Sequence, residues 1–220
     1  MAKKESYRCS ECGWLSAKWQ GQCRQCQAWG TLAEVGASAG LAKTAVRTPI
    51  QAAQPISQVS AESAQARPSG VGELDRVLGG GIVPGAVILL AGEPGVGKST
   101  LLLTVAANAA RQAKLTGAGS VLYITGEESA SQVRLRAARI DALADNLLLA
   151  AETELGAVLG QVEQANPALL IVDSVQTIAS ADVEGSAGGT SQVRAVAAAI
   201  IALAKERNIP VLLVGHVTKD

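Results

Sequence analysis

From residue 69 onward, short apolar runs alternate with longer segments in which apolar residues recur at helical spacing. This alternation is typical of βαβ units, in which helices join parallel strands. The apolar runs predict buried strands at 86–91, 120–125, 146–150, 168–173 and 210–215. The segments between them predict helices over about 98–113, 129–143, 154–164 and 192–207. The pattern therefore predicts an α/β domain built around a parallel sheet.

The same pattern divides the chain into three predicted parts. Residues 1–32 hold all four cysteines and all three tryptophans. Residues 33–68 are rich in Ala, Ser, Gln and Pro and have no sustained apolar period. Such a composition cannot build a core, so it predicts a linker. Residues 69–220 form the predicted α/β core.

Net charge and hydropathy exclude some classes of protein but do not identify a function. The 220 residues include 19 Lys plus Arg and 19 Asp plus Glu, so a nucleic-acid contact would need a local basic patch. The longest apolar runs are far too short to cross a bilayer. The first ten residues have no apolar segment behind their lysines, unlike a secretory signal. We therefore expect a cytoplasmic protein.

The stretch "GEPGVGKST", residues 92–100, lies between a predicted strand and a predicted helix and fits G-x-x-x-x-G-K-[ST]. In this motif, backbone N–H groups and a helix N-terminus surround nucleotide phosphates. Lys98 would reach the β- and γ-phosphates, and the Ser99 hydroxyl would bind Mg²⁺. A chance glycine-rich turn is the alternative, which the strand and helix disfavour. The predicted nucleotide-binding residues are Gly92, Glu93, Pro94, Gly95, Val96, Gly97, Lys98, Ser99 and Thr100.

A partner acid for this loop is expected on a neighbouring strand. Asp173 ends the apolar run in "ALLIVDSVQT", where its carboxylate can hold Mg²⁺ directly or through water. An apolar run followed by Asp is a weak signal by itself. Its place after the phosphate loop, in a chain of βαβ units, makes it a strong one.

Two adjacent carboxylates, Glu127 and Glu128, follow the predicted strand that ends "VLYIT". The carboxyl ends of parallel strands are where α/β sheets bind ligands, so one of these acids is predicted to orient the attacking water. Glu127 is favoured because it is nearer the strand end. The alternative is that both acids simply begin the next helix, whose first turn favours negative charge.

His216 is the only histidine and follows the strand "PVLLVG". Its place at the same row of strand ends predicts a contact with the γ-phosphate. The alternative is that His216 is a surface histidine with no contact to the nucleotide. The arginines at positions 134, 136 and 139 are predicted to form a solvated basic face of a helix rather than a DNA groove.

Cys9, Cys12, Cys23 and Cys26 have the spacing C-x₂-C-x₁₀-C-x₂-C. Each Cys-x-x-Cys pair would place two thiolates about one tetrahedral Zn²⁺, in a structural role. Redox pairs are the disfavoured alternative, because the motifs lie outside any βαβ unit. Trp14, Trp19 and Trp29 are predicted to shield the cluster. A DNA- or partner-docking surface beside Arg8, Lys18 and Arg24 is the alternative.

Taken in order, these motifs resemble the RecA-like P-loop ATPases that carry a small zinc-ribbon or knuckle module before the core. The resemblance covers nearly the whole chain, except residues 33–68. It rests on the cysteine segment, "GVGELDRVLGGGIVPGAVILLAGEPGVGKSTLLL", "VLYITGEES", "LLIVDSVQT", "SQVR" and "VLLVGHVTKD".

The resemblance implies an ATP-dependent motor that binds single-stranded or branched DNA and promotes branch migration in recombination and repair. It implies a homo-hexameric ring, and as partners the recombinase RecA and replication-fork proteins. It assigns Glu127 to the hydrolytic water and His216 to sensing the γ-phosphate. It also makes 179–192 a DNA-facing loop, with Arg194 just beyond it able to meet a phosphate. An ordinary crossover loop is the alternative.

Members of this group continue beyond "VTKD" with further DNA-binding and C-terminal parts, so the chain is expected to be a piece of a longer protein. Its activity without those parts is open. A second function class also fits the same site: a regulatory switch, in which ATP binding controls partner docking through the zinc module. The two differ in whether DNA changes ATP turnover.

Overall fold

A computed structural model describes residues 7–34, 53–61 and 64–217. The chain divides into two units, Met1–Gln58 and Val59–Asp220. Most of the predicted linker and the end of "VTKD" lie outside the described residues. In the described part of the predicted linker, a 3₁₀ helix spans Ile56–Gln58.

Three short antiparallel strands form the N-terminal module, in the order β2-β1-β3. They are β1 (Tyr7–Cys9), β2 (Leu15–Ser16) and β3 (Leu32–Glu34). Among residues 7–34, the buried apolar cluster consists of Cys9, Cys23 and Leu32, with Tyr7 and Trp14 packed against it. Such a small apolar cluster needs a further source of stability, which a bound metal supplies in modules of this size.

Five parallel strands form the sheet of the second unit, in the order β4-β8-β7-β5-β6. The strands are β4 (Val87–Gly92), β5 (Val121–Thr125), β6 (Leu147–Ala151), β7 (Leu169–Asp173) and β8 (Val211–His216). β5 and β7 are buried along their whole length, as expected for strands covered on both faces. Every predicted strand is present within one residue at each end.

Five helices accompany this sheet: α1 (Gly72–Val77), α2 (Lys98–Thr116), α3 (Ala130–Arg139), α4 (Leu155–Ala165) and α5 (Thr190–Arg207). Residues of α2 and α3 share one apolar cluster with the sheet, and residues of α4 and α5 share another. The sheet is therefore covered on both faces, which confirms the predicted α/β class.

Apart from shifts of one to three residues at other helix ends, the helices differ from the sequence prediction in two respects. The helix predicted over 129–143 ends at Arg139, because Asp141 takes a left-handed conformation with φ of +53°. α1 was not predicted, because its six residues are too few to show a periodic pattern. The core also begins earlier than residue 69, since the backbone of Arg67 pairs with that of Ile82 at 2.8 and 2.9 Å.

Candidate functional site

The phosphate loop joins the carboxyl end of β4 to the first turn of α2. β4 ends at Gly92 and α2 begins at Lys98. Gly95 and Gly97 have φ values of +81° and +96°, a region that side chains other than glycine rarely adopt. These glycines let the loop curl back to the helix N-terminus, whose free N–H groups favour an anion.

Lys98 lies across the mouth of this loop. Its Nζ donates hydrogen bonds to the carbonyl oxygens of Gly92 at 2.8 Å and Glu93 at 2.7 Å. The residue is 7% exposed, so its charge is held close to the loop backbone. The same Nζ lies 3.4 Å from Nδ1 of His216, which faces Gly92 in the β4–β8 register.

A chain of polar contacts through Glu127 connects the carboxyl ends of four strands, β4, β8, β5 and β7. His216 Nε2 lies 2.9 Å from Glu127 Oε1, and the Ser174 hydroxyl donates to the same oxygen at 2.6 Å. Lys98 can only donate, so His216 Nδ1 must accept the hydrogen bond from Lys98 Nζ, and the N–H at Nε2 then donates a hydrogen bond to Glu127. The structure thus brings Lys98, Glu127 and His216 together, as the sequence predicts, and adds Ser174.

The neighbouring acid, Glu128, faces away from this chain of contacts. Its carboxylate pairs with the Arg136 guanidinium at 3.0 and 2.9 Å. Its backbone exchanges hydrogen bonds with the Thr125 hydroxyl. The Arg136 side chain is 16% exposed, so the prediction of a solvated face is wrong for this residue, while Arg134 and Arg139 are exposed.

Asp173 ends β7 as a buried carboxylate, and β8 separates β7 from the phosphate-loop strand β4. The Tyr123 hydroxyl donates to its Oδ2 at 2.6 Å. Burial, and then the charge of Asp173, raise the pKa of Tyr123, so the phenol keeps its proton and stays a donor. Within the described residues, Asp173 Oδ1 is buried with no hydrogen-bond partner. An unpaired carboxylate oxygen fits a ligand to Mg²⁺ or to its water shell.

The four cysteines of the N-terminal module form a second site. Their Sγ atoms lie within 4.8 Å of one another, with 3.7 Å between Cys9 and Cys26 and 3.6 Å between Cys12 and Cys23. In a tetrahedron with metal–sulfur distances of about 2.3 Å, the sulfur atoms lie about 3.8 Å apart. The arrangement therefore fits Zn²⁺ with all four positions filled, which is a structural site.

A neighbouring hydroxyl favours the thiolate that such a site needs. Thr31 Oγ1 lies 3.2 Å from Cys9 Sγ. This contact, with a backbone hydrogen bond at Cys12, lowers the pKa of Cys9 to about 6. The lowered pKa favours the thiolate of Cys9, the form in which cysteine binds a metal.

Only one of the three tryptophans packs as predicted. Trp14 lies against the buried cysteine cluster. Trp19 and Trp29 are 63% and 74% exposed, so the prediction that they shield the cluster is wrong.

With both sites described, comparison with known proteins gives the family. Residues 53–220 match the model of the AAA domain. The chain belongs to the AAA domain family. Ahead of its AAA domain, residues 7–34 match the rubredoxin metal binding domain, which agrees with the four clustered cysteines and supports Zn²⁺.

The chain is also similar to proteins named DNA repair protein RadA. It is 51% identical over 221 residues to that of Mycobacterium tuberculosis (strain ATCC 25618 / H37Rv), covering 99% of this chain and 45% of the relative. Identity is 42% over 214 residues for Listeria monocytogenes (96% and 46%) and 41% over 227 residues for Escherichia coli (100% and 48%). The chain thus spans just under half the length of these relatives and matches their N-terminal part.

These findings confirm an AAA domain with a phosphate loop, preceded by a zinc-ribbon module, and support nucleotide binding. The predicted resemblance to RecA-like P-loop ATPases with a zinc module is confirmed by these relatives. Within the described residues, no helix is both long enough and apolar enough to span a membrane.

Two glutamines of this AAA domain were missed by sequence reasoning. Gln176 donates to the backbone oxygen of His216 at 3.0 Å. Gln192 is 2% exposed, and its amide accepts from Ser180 N at 2.8 Å and donates to Ser180 O at 3.1 Å. It also donates to the carbonyl of Val183, so one buried amide holds the start of the predicted DNA-facing loop. "DSVQT" and "SQVR" contain both residues, but spacing gives no sign of their partners.

Gly126, the residue after β5, leaves no room for a side chain. A Cβ there would lie 2.9 Å from Thr177 Cβ and closer still to Thr177 Oγ1, which is fixed by its bond to the Ser174 carbonyl at 2.8 Å. We expect Gly126→Ala to lower the free energy of unfolding by about 1–3 kcal/mol through overpacking. Urea denaturation followed by circular dichroism measures this.

The matched control is Gly160→Ala, an exposed position of α4 where a Cβ would meet nothing within 4 Å. Alanine favours a helix over glycine, so this change should be neutral or stabilising by up to about 1 kcal/mol. Equal effects of the two changes would contradict the packing argument.

Proposed function

We propose that this AAA domain binds ATP with Mg²⁺ and hydrolyses it, as the ATPase part of a protein that acts in DNA repair. The observation that supports this most is the chain of contacts from Lys98 through His216 to Glu127 and Ser174. It joins Lys98, which would meet the γ-phosphate, to Glu127, which would activate water. A fold that only bound nucleotide would not need such an acid.

The phosphate loop supplies the binding groups. Gly92 to Thr100 would surround the phosphates with backbone N–H groups, and Lys98 would exchange its bonds to two loop carbonyls for the β- and γ-phosphates. Ser99 and Asp173 would hold Mg²⁺, directly or through water. When bound, Mg²⁺ neutralises charge that develops on the phosphate oxygens.

Glu127 is proposed as the base. Its Oε1 already accepts two hydrogen bonds, while the side chain is 40% exposed, so Oε2 is open to a water molecule. That water would give a proton to Oε2 as its oxygen attacks the γ-phosphorus, while the bond from the γ-phosphorus to the β–γ bridging oxygen breaks and ADP leaves. Glu128 is proposed to act only through structure, since Arg136 holds it.

His216 is proposed to sense the γ-phosphate. Its ring lies between Lys98 and Glu127, and its backbone oxygen is held by Gln176. Movement of the Lys98 side chain on phosphate binding would therefore alter its contact with His216. Through Gln176 it would also shift the segment that leads into residues 179–192. Two discrete positions of this segment would couple ATP to DNA.

The finer function follows from the resemblance. We propose that 179–192 and the exposed Arg194 face single-stranded or branched DNA, and that DNA raises ATP turnover. For the whole protein, we propose a homo-hexamer in the cytoplasm that promotes branch migration together with RecA and replication-fork proteins.

The test is steady-state phosphate release by this chain with ATP and Mg²⁺, with and without a single-stranded oligonucleotide. We expect turnover that rises with DNA. Lys98→Ala should remove it almost entirely, because the γ-phosphate loses its cationic partner. The matched control is Lys114→Ala on the same helix, which removes only a surface pair with Asp145 at 2.6 Å and should change turnover less than about twofold.

ATP binding without turnover would overturn the proposed hydrolysis. Turnover that ignores DNA would favour the regulatory switch over the motor for these residues.

A further inference from the structure

The N-terminal module presents an indole ring beside a polar groove. The groove measures about 710 Å³ and is lined by Trp29, Arg24 and the glutamines at positions 20, 22 and 27. This volume is in the range that accepts a small organic group. The ring is 74% exposed, so one of its faces is open to a ligand.

The backbone of Gly21 supports the Trp29 indole ring. A Cβ at Gly21 would lie 3.6 Å from Trp29 Cζ3, so the ring rests on the glycine backbone. Trp29 forms a bridge with Gln22, and Gly30 N donates to Gly21 O at 2.8 Å. A ring that is already oriented loses little conformational entropy when a flat ligand stacks on it.

The groove wall offers a cation and several amides. Arg24 Nε donates to Gln20 Oε1 at 2.9 Å, and Gln22 Nε2 donates to Gln27 O at 2.8 Å. Among the described residues, Arg24 has no carboxylate within ion-pair distance, and Glu11 is the one acid of segment 7–33. The guanidinium can therefore meet an anion, and the amides can meet groups that both donate and accept.

An open aromatic face, a cation without an acid and hydrogen-bonding amides together match one ligand chemistry. A nucleotide of a single strand offers a flat base, a phosphate and polar base edges, and base–aromatic stacking tolerates any base. A protein partner would instead favour a wider apolar surface than one indole among glutamines.

We propose that the groove beside Trp29 binds a nucleotide of single-stranded DNA, with the base stacked on Trp29 and the phosphate on Arg24. This contact shares only its DNA partner with the proposed function. It lies on the second cysteine knuckle, where Gln27 N donates to the carbonyl of the buried Cys23 at 2.9 Å. Metal binding by that knuckle therefore sets the shape of the groove.

The test uses the intrinsic fluorescence of the zinc-loaded chain. All three tryptophans lie in the module, so the emission reports the module alone when excitation is at a wavelength that tyrosine does not absorb. Titration with an oligothymidylate of about 15 nucleotides should quench it, because a stacked base quenches an indole. With one or two cations engaged, log K should fall with log salt at a slope of about −0.7 to −1.4.

Variants locate the contact. Trp29→Ala should remove the saturable quench and weaken oligonucleotide binding by the module roughly 5- to 150-fold, as expected for one lost stack. Arg24→Ala should weaken the quench titration several-fold while all three indoles remain. Trp19→Ala is the matched control, because Trp19 is also exposed (63%, against 74% for Trp29) but does not line the groove, and this variant should keep the quench. Zinc content of each variant verifies that the module is folded.

No quench at saturating oligonucleotide, or a quench lost in Trp19→Ala and kept in Trp29→Ala, would overturn the proposal. Lys98→Ala should still show the quench, since that contact needs no ATP. Failure of the ATPase and failure of this groove are therefore separate results.

Discussion

Replacing Glu127 with glutamine should lower the rate of ATP hydrolysis by about 10²–10⁴-fold while ATP still binds. The amide oxygen of glutamine can keep both hydrogen bonds that Oε1 now accepts, from Ser174 at 2.6 Å and from His216 at 2.9 Å. Only the capacity to take a proton from water is lost. Steady-state phosphate release and binding of a fluorescent ATP analogue measure the two quantities.

The matched control is Glu128→Gln, the same change one residue away. It weakens the pair with Arg136, which should cost about 1 kcal/mol of stability and change turnover less than about threefold. If Glu128→Gln abolished hydrolysis and Glu127→Gln did not, the two acids would have the opposite roles.

Removing zinc should unfold the N-terminal module and leave the AAA domain folded. Structural zinc contributes on the order of 10–16 kcal/mol to small modules, and the buried cluster of Cys9, Cys23 and Leu32 is too small to replace it. A strong chelator should shift the emission of Trp14, which packs on the cysteine cluster, toward that of indole in water, with little shift from the already exposed Trp19 and Trp29. Circular dichroism of the helices and binding of the ATP analogue should not change.

Cys23→Ser and Gln25→Ala provide the matched pair for this effect. Cys23 is a buried ligand, and Gln25 is an exposed residue between two ligands. The serine variant should lose zinc and the folded emission, whereas the alanine variant should retain about one zinc per chain. Iron in place of zinc, or a folded module without metal, would contradict the assignment.

Local patterns carried most of the fold. The five strands are continuous apolar runs, and their ends are set by glycine, proline or a polar residue, so each was predicted within one residue. The helix predicted to reach 143 was wrong because Asp141, rather than a glycine, takes the left-handed conformation after Arg139. Asparagine and aspartate tolerate this region, but the sequence alone does not show when they do.

The sequence predicted which residues form the site, but it could not predict which of their side chains contact one another. The phosphate loop follows from its motif, whereas the choice between Glu127 and Glu128 depends on Arg136, eight residues farther along α3. Trp19 and Trp29 were placed wrongly because a tryptophan beside cysteines has the same pattern whether it faces inward or outward. Tertiary contacts decide such cases.

The place of β4 at one edge of the described sheet has a consequence for biosynthesis. Its partner there is β8, and the register joins Val87 to Val211 and Gly92 to His216. The strand that carries the phosphate loop therefore gains its hydrogen-bonded neighbour only after the ribosome has completed β8. Bringing β4 and β8 together closes a long loop, and the chain entropy is lost before the contacts that offset it can form. Nucleotide capture should thus be a late event in folding, and a nascent chain that ends before β8 should be unable to retain ATP.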